Sequence, residues 1–415
     1  MTALADRIAA AVDDEERAVL VREAAAAGPV DLAALKLRGL QLDGADLSKA
    51  TLTGGVFSQA SFAGAVLEGA DGSKGDFSHG NFKGARMGEM RLQDALLEEA
   101  TLTEATLRFA DLRGAFGELA VLDRADLWGA RLERADFSGA SMRGAQIGEA
   151  TAAGCDFSRA DLREALLTSI DWCSAKLADA DLRGARLNGA TLTGADLTGA
   201  WLQDVDLSSC AVDGVCWARA RLNRTQLSQA QVAGGIGEER AGDYAQAADG
   251  YGALQRNFIS LGDGEAASWA YRAKRRMEKR ASRAAAAAAW HARRPGAWLA
   301  AAARYAGEQM IESTSGYGES VGRVLVSLMV VYVVFVLIYG VTGSVVRLDG
   351  AVQTVSHRPL DLAIFALMAM TTSGTPSAFL APSGVLALLL AGTQALISIF
   401  LTGLLGFVAG NRIRR

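Results

Sequence analysis

From Leu37 onward every fifth residue is large and apolar. Leu42, Leu47, Leu52, Phe57, Phe62 and Leu67 begin a series that continues through Leu92 to Leu132, Phe137, Met142 and Ile147, then Leu177 to Leu207 and Val232. Of its forty positions only Gly72, Gly117 and Ala152 are not large and apolar. Two residues before each, the position is nearly always small: Ala45, Ala50, Gly55, Ala60, and so on to Ala200 and Cys210. A period of five is neither the 3.6 of a helix nor the 2.0 of an amphipathic strand. It fits a solenoid in which five residues make one side of a square coil. The large and the small apolar residue point inward, and the other three, where Asp, Arg, Ser, Thr and Gly concentrate, face water. A narrow interior requires the alanines, because two bulky residues per side would overfill it.

After Gly235 the period ends. Residues 239–290 read as two or three helices broken at Leu261, Gly262, Asp263 and Gly264, with Leu254, Phe258 and Leu261 at helical spacing, and Trp269 and Met277 likewise. Between Arg272 and Arg294 lie nine Lys or Arg and the single Glu278. Two readings stand: a solvated face, or contact with an anionic membrane surface. Trp290, Trp298 and Tyr305 beside arginines are residues that a membrane interface carries.

Arg323 is then followed by 23 uncharged residues whose apolar core is Val324–Val341, long enough to span a bilayer. From Leu362 to Asn411 there is no charge; its last part, Gly384–Gly410, is also long enough, and basic residues follow it. Basic flanks before the first span and after the second predict cytoplasmic ends. Residues 359–383 then begin and end on the outer side. Pro359 and Asp361 suit a helix start, and a helix to Met370 would measure about 18 Å, too short to cross. It must dip and return through residues 371–379, irregular backbone tolerated at that depth only inside protein or beside water. The dipping helix turns its negative C-terminal end inward, which favours a cation. In the second span Gln394, Ser398 and Thr402 recur every fourth residue, continued by Gly406. This stripe is expected to be a water-facing pore wall, with close helix packing as its rival. Gly392 is a candidate hinge.

The chain of 415 residues is long enough for two or three domains. We expect an N-terminal helical cap over 1–34, a solenoid over 35–235, a cytoplasmic, juxtamembrane helical region over 236–320 and a two-span module over 321–415. Hydrophobic residues make up 50% but aromatics only 7%, as many narrow, identical packing positions require. The net charge of −4 argues against general nucleic-acid affinity. Four cysteines form no CxxC and three histidines are scattered, so neither a metal nor another cofactor is expected. The N-terminus lacks the pattern of a signal peptide. No acid–base pair, nucleophile or phosphate loop stands out, and no enzyme activity is expected.

The recurring Ala-(Asp/Asn)-Leu-x-x, plain from Leu187 to Ala200, resembles the pentapeptide-repeat proteins. The resemblance implies a right-handed quadrilateral parallel β-helix of four repeats per coil, ten coils and about 48 Å long. Some members of that family resemble B-form DNA and inhibit topoisomerases. Here residues 36–235 carry 21 Lys and Arg against 27 Asp and Glu, interspersed, with Lys176 among the stacked Asp136, Asp156 and Asp196. A DNA mimic is therefore not expected.

Span, short helix, hydroxyl-and-glycine stretch, span resembles a two-transmembrane member of the potassium-channel-like superfamily over Arg323–Arg415. Against that family's Thr-Val-Gly-Tyr-Gly filter, Thr371 takes the preceding Thr, and Thr372, Ser373, Gly374, Thr375 and Pro376 take the five places. Only Thr372 and Gly374 match, so a weakly selective pore for monovalent cations is expected rather than potassium selectivity. The resemblance implies a homo-oligomer, a tetramer, in a cell's inner (plasma) membrane, multi-pass with both termini cytoplasmic. Its partners would be permeant monovalent cations, the lipid bilayer, further copies of itself and a protein partner for the repeats. The alternative is a membrane-anchored scaffold whose repeats bind a protein without conducting ions.

Overall fold

The five-residue period becomes a ladder with a rise of one coil every twenty residues. In the computed structural model, which describes residues 2–318, 320–349, 352–371 and 380–413, parallel bridges join positions twenty apart, from Asp31 with Thr51 to Asp206 with Gln226. Asp46–Ala50 is representative of the repeat. Leu47 and Ala50 are buried, and the Ala50 N–H donates to the Leu47 carbonyl at 3.0 Å, closing a tight turn. The residue before the small one lies at positive φ, 59° at Lys49 and 63° at Gly54, as a type II turn demands. Asp46 Oδ1 accepts the Ser48 N–H at 3.0 Å. The same bond recurs at Asp71, Asp136, Asp156 and Asp196. That local bond gives Asp or Asn its place before the inward Leu.

Inside, like residues stack from coil to coil. Phe57 lies 5.3 Å from Phe77 and Phe62 4.9 Å from Phe82 between ring centroids. Two of the exceptions to the period have a packing cause. A Cβ at Gly117 would meet the Phe137 ring of the next coil, and one at Gly72 would meet Phe77 and Met90. A neighbour's larger side chain fills the space that each glycine leaves.

Both ends of this interior are closed by helices. Two N-terminal helices, α1 (Thr2–Ala10) and α2 (Asp14–Ala27), contribute Ile8, Ala18 and Val21 to the same apolar cluster as Leu32 and Leu37. At the other end come α3 (Gln229–Val232), α4 (Gly237–Arg240), α5 (Tyr244–Ser260) and α6 (Gly264–His291). Ile236, Tyr251, Leu254, Phe258, Ala270 and Met277 join that cluster too. The last coil has no further rung to receive its N–H groups. The buried Glu238 carboxylate accepts them instead, from Trp217 and Ala218, each at 2.6 Å. Asn257 does the same beside it, accepting the Thr225 N–H and donating to the Thr225 carbonyl. The chain accordingly divides into units Met1–Glu278 and Lys279–Arg415. Residues from Ile236 to Met277 of the helical region thus complete the core of the repeats.

The second unit continues from α6 into α7 (Pro295–Ser315), α8 (Val321–Thr342), β1 (Val345–Asp349), β2 (Val352–Val355), α9 (Pro359–Met370), β3 (Leu380–Pro382) and α10 (Val385–Ile413). The strands form one antiparallel sheet in the order β2-β1-β3. Helix α8 and residues Val385–Gly410 of α10, with mean hydropathies of 2.8 and 2.1, are long and apolar enough to cross a membrane. Leu325, Val326, Met329, Val330, Val333, Val334 and Leu337 form an exposed apolar face on α8, an arrangement that water penalises and lipid does not.

Candidate functional site

Helix α9 is twelve residues long and almost wholly apolar, with Pro359 at its start, where a missing N–H costs nothing. Its first turn is tied to the sheet. Asp361 accepts the Ser356 hydroxyl at 2.6 Å and lies 3.6 Å from the Arg347 guanidinium on β1. The chain leaves α9 at Thr371 and rejoins the same sheet at β3, where Leu380 pairs with Arg347 and Pro382 with Val345. Both flanks of the α9 segment therefore belong to one sheet, which itself follows directly on the end of α8. The nine residues from Thr371 to Phe379 can reach at most about 30 Å, enough to return along a helix of about 18 Å.

The sides of α9 are held by α8 and α10. Tyr332 donates its hydroxyl to the Ala363 carbonyl at 3.1 Å. Tyr339 donates to Gln394 Oε1 at 2.7 Å, and Gln394 Nε2 donates to the Ala366 carbonyl at 3.1 Å. Gln394 thus bridges the three helices where Tyr339 also meets the Phe365 ring edge-on, 5.1 Å between centroids. Ser398 donates back to the Gln394 carbonyl at 2.8 Å.

These bonds correct one expectation. Gln394 and Ser398 are 0% and 1% exposed and are not on an open wall. They belong to a seam with Ala387, Leu401 and Val408 that packs inward, spaced by three, four and seven as a helix–helix contact is. Thr402, the third residue of the stripe, is exposed. Gly392 is exposed within an unbroken α10, and a Cβ there would meet nothing. Thr371 caps α9, its hydroxyl donating to the Met368 carbonyl at 3.1 Å. Thr372, Ser373, Gly374 and Thr375 lie outside the described residues, as does Pro376. Sequence reasoning missed Tyr332 and Tyr339, although two phenols seven residues apart in an aliphatic span were a visible sign of one polar contact line.

Among the described residues no group of three or more His, Cys, Asp or Glu is placed to hold a metal. The four cysteines are free. Burial pushes the thiol of Cys155 well up, that of Cys210 to about 11 and that of Cys216 to about 12. Thiols so protonated are poor nucleophiles and poor ligands.

The profile of pentapeptide repeats matches in eight copies within residues 30–208. A solved structure of HetL, a pentapeptide repeat protein involved in heterocyst differentiation regulation from the cyanobacterium Nostoc, is 31% identical, covering 49% of this chain and 94% of its own, with a TM-score of 0.29. This chain is a pentapeptide-repeat protein. A pentapeptide repeat protein of the Arabidopsis thaliana thylakoid lumen is also 31% identical, over 26% of this chain and 68% of that one, with a TM-score of 0.13. QnrB1, a plasmid-mediated fluoroquinolone resistance protein, is 20% identical over 48% and 88%, with a TM-score of 0.20. Comparison with curated proteins finds no match. Beyond the repeats this pentapeptide-repeat protein carries a C-terminal helical unit with two candidate spans and the clamped α9.

Proposed function

We propose that this pentapeptide-repeat protein is the subunit of an oligomeric membrane channel for monovalent cations, with the β-helix as its cytoplasmic sensing or recruiting arm. The observation that carries the reading is α9: a helix too short to span, clamped between two helices that can, with both flanks on one sheet. A simple anchor needs no such segment. The negative end of its helix dipole favours a cation beyond Met370. One protomer with two spans cannot enclose a pore, so the reading requires further copies.

The C-terminal half of α10 supports this. Thr402, Gly403, Gly406 and Gly410 are exposed, and a Cβ at any of the three glycines would meet nothing within the chain. Each glycine costs a helix about 1 kcal/mol relative to Ala, and nothing in the protomer requires it. Close approach of neighbouring α10 helices would. The reading takes the assembly as a tetramer by resemblance, in an inner membrane with both termini cytoplasmic, and assigns no catalysis and no cofactor. The purified full chain in liposomes should pass monovalent cations. Flux no greater than that of empty vesicles, across a range of pH and voltage, would refute it and leave the membrane-tethered scaffold.

A further inference from the structure

Helices α6 and α7 form an antiparallel hairpin. Near its open end Lys279 pairs with Glu312 and donates to Gln309 at 3.2 Å. At its turn the Trp290 and Trp298 rings stand 5.6 Å apart. The polarity of α7 is inverted for a helix in water. Ala301, Glu308, Glu312 and Ser315 share one face by helical spacing and are buried or half-buried. Leu299, Ala303, Ala306 and Met310 share the opposite, exposed face, with Leu299 63% and Met310 56% exposed and no charge among them. From Lys279 to Gly307 the chain carries Lys279, Arg280, Arg283, Arg293, Arg294 and Arg304 and no Asp or Glu. At the turn, Trp290, His291, Arg293, Arg294, Pro295 and Trp298 line a cavity of about 660 Å³.

The place of this hairpin in the chain names what covers it. Helix α7 ends at Ser315 and α8 begins at Val321. A Cβ on Gly318, between them, would lie 3.6 Å from Phe407 near the end of α10. The apolar face therefore starts where both candidate spans reach their basic, inward end. A helix that lies in a bilayer interface has this composition: bulky apolar residues and Trp on one side, Arg at the edge and length without a full span.

We infer that α7 lies in the cytoplasmic leaflet of an anionic bilayer, its Leu299–Met310 face among the acyl chains, with Trp290 and Trp298 at headgroup level and Arg293 and Arg294 on lipid phosphates. This rests on the reading of α8 and α10 as spans. Each arginine near an anionic surface is worth about five-fold in the docking equilibrium.

The test uses the full chain with Cys173 and Cys216 replaced by Ser, since Cys155 and Cys210 are buried. An environment-sensitive fluorophore is attached at Leu299→Cys, or at Leu337→Cys on α8. The protein is reconstituted in vesicles of phosphatidylcholine with roughly a third phosphatidylglycerol, and quenching by brominated lipid is read. Both labels should be quenched. Replacing Arg293 and Arg294 together by Ala should lower the docked fraction at 299, by about 25-fold in its equilibrium constant, and leave 337 unchanged. Quenching at 337 without quenching at 299 overturns the inference while the spans stand. Quenching at 299 that ignores both the anionic lipid and the two arginines overturns it too. Absence of quenching at both sites refutes the spans and the inference together.

Discussion

Replacing Gln394 by Leu separates two accounts of the polar stripe on α10. In the structure Gln394 accepts from Tyr339 and donates to Ala366, and both it and Tyr339 are 0% exposed. The substitution strands a buried phenol, which costs about 1–3 kcal/mol in water-soluble proteins. Inside a membrane such interhelical bonds average about 0.6 kcal/mol and reach about 1.7, so a loss of about 1.5 kcal/mol is expected for Gln394→Leu. Tyr339→Phe should cost somewhat less, because the amide keeps its bond to Ala366. The pair should be non-additive, with a coupling of about 1 kcal/mol. The assay is alkylation of a buried reporter, Ala369→Cys, against the SDS fraction in mixed micelles. Its rate gives the free energy of opening α9 from its clamp. Coupling within about 0.3 kcal/mol of zero would refute the bridge. A second readout sharpens it: Gln394→Cys should resist a charged thiol reagent, whereas a water-facing wall would expose it.

Burial holds the Glu238 carboxyl above its usual range, against the opposing pull of the Trp217 and Ala218 N–H groups. A carboxyl raised in the fold costs nothing below its unfolded pKa and destabilises as pH rises through its folded one, so Glu238→Gln should stabilise at neutral pH and leave stability near pH 4 unchanged. Denaturant midpoints of the strand signal would show it, and loss of stability at neutral pH would refute it. At Asp111 burial opposes ionisation, but the bonds from Arg113 and Gln93 outweigh it and bring the carboxyl down to about 2. Its contribution is present above the unfolded pKa and lost as pH falls toward about 2, so Asp111→Asn should cost about 2 kcal/mol at neutral pH and little in strong acid. Gly406→Ile adds bulk where the protomer offers no obstacle. It should break the oligomer, read by native mass, while the protomer's own melting is unchanged; an intact oligomer would acquit that face.

The solenoid was legible because its period places each inward position in the same environment, coil after coil, so that a wrong phase would expose every Leu at once. The pairing of Asp with the turn was in the letters as well. What completes the core was not. Glu238 and Asn257 lie 21 and 32 residues from the N–H groups that they receive, and nothing local marks them. Similarly, the spacing of Gln394, Ser398 and Thr402 gave the phase of a face without saying what lies against it. The answer is Tyr339, 55 residues from Gln394, and a small polar stripe looks the same in sequence whether it meets water or a phenol.

The protomer taken alone leaves α9 half covered, and that bears on assembly. Asp361, Leu362, Phe365, Ala366 and Ala369 are buried against the sheet and the two long helices. Leu360, Ile364 and Leu367, spaced by four and three along the other side, stay exposed. If α9 dips into a bilayer, lipid can cover those three side chains. Lipid cannot accept from or donate to backbone groups left unpaired at membrane depth. In the proposed channel residues 372–379, which lie outside the described residues, would have to return at that depth beside protein or water. In one protomer α8 and α10 cover one side of α9, Tyr332 and Gln394 donating to the Ala363 and Ala366 carbonyls. In the proposed oligomer a second copy of the same unit, its α10 glycines open to close approach, would supply both the other wall and the reason for the glycines.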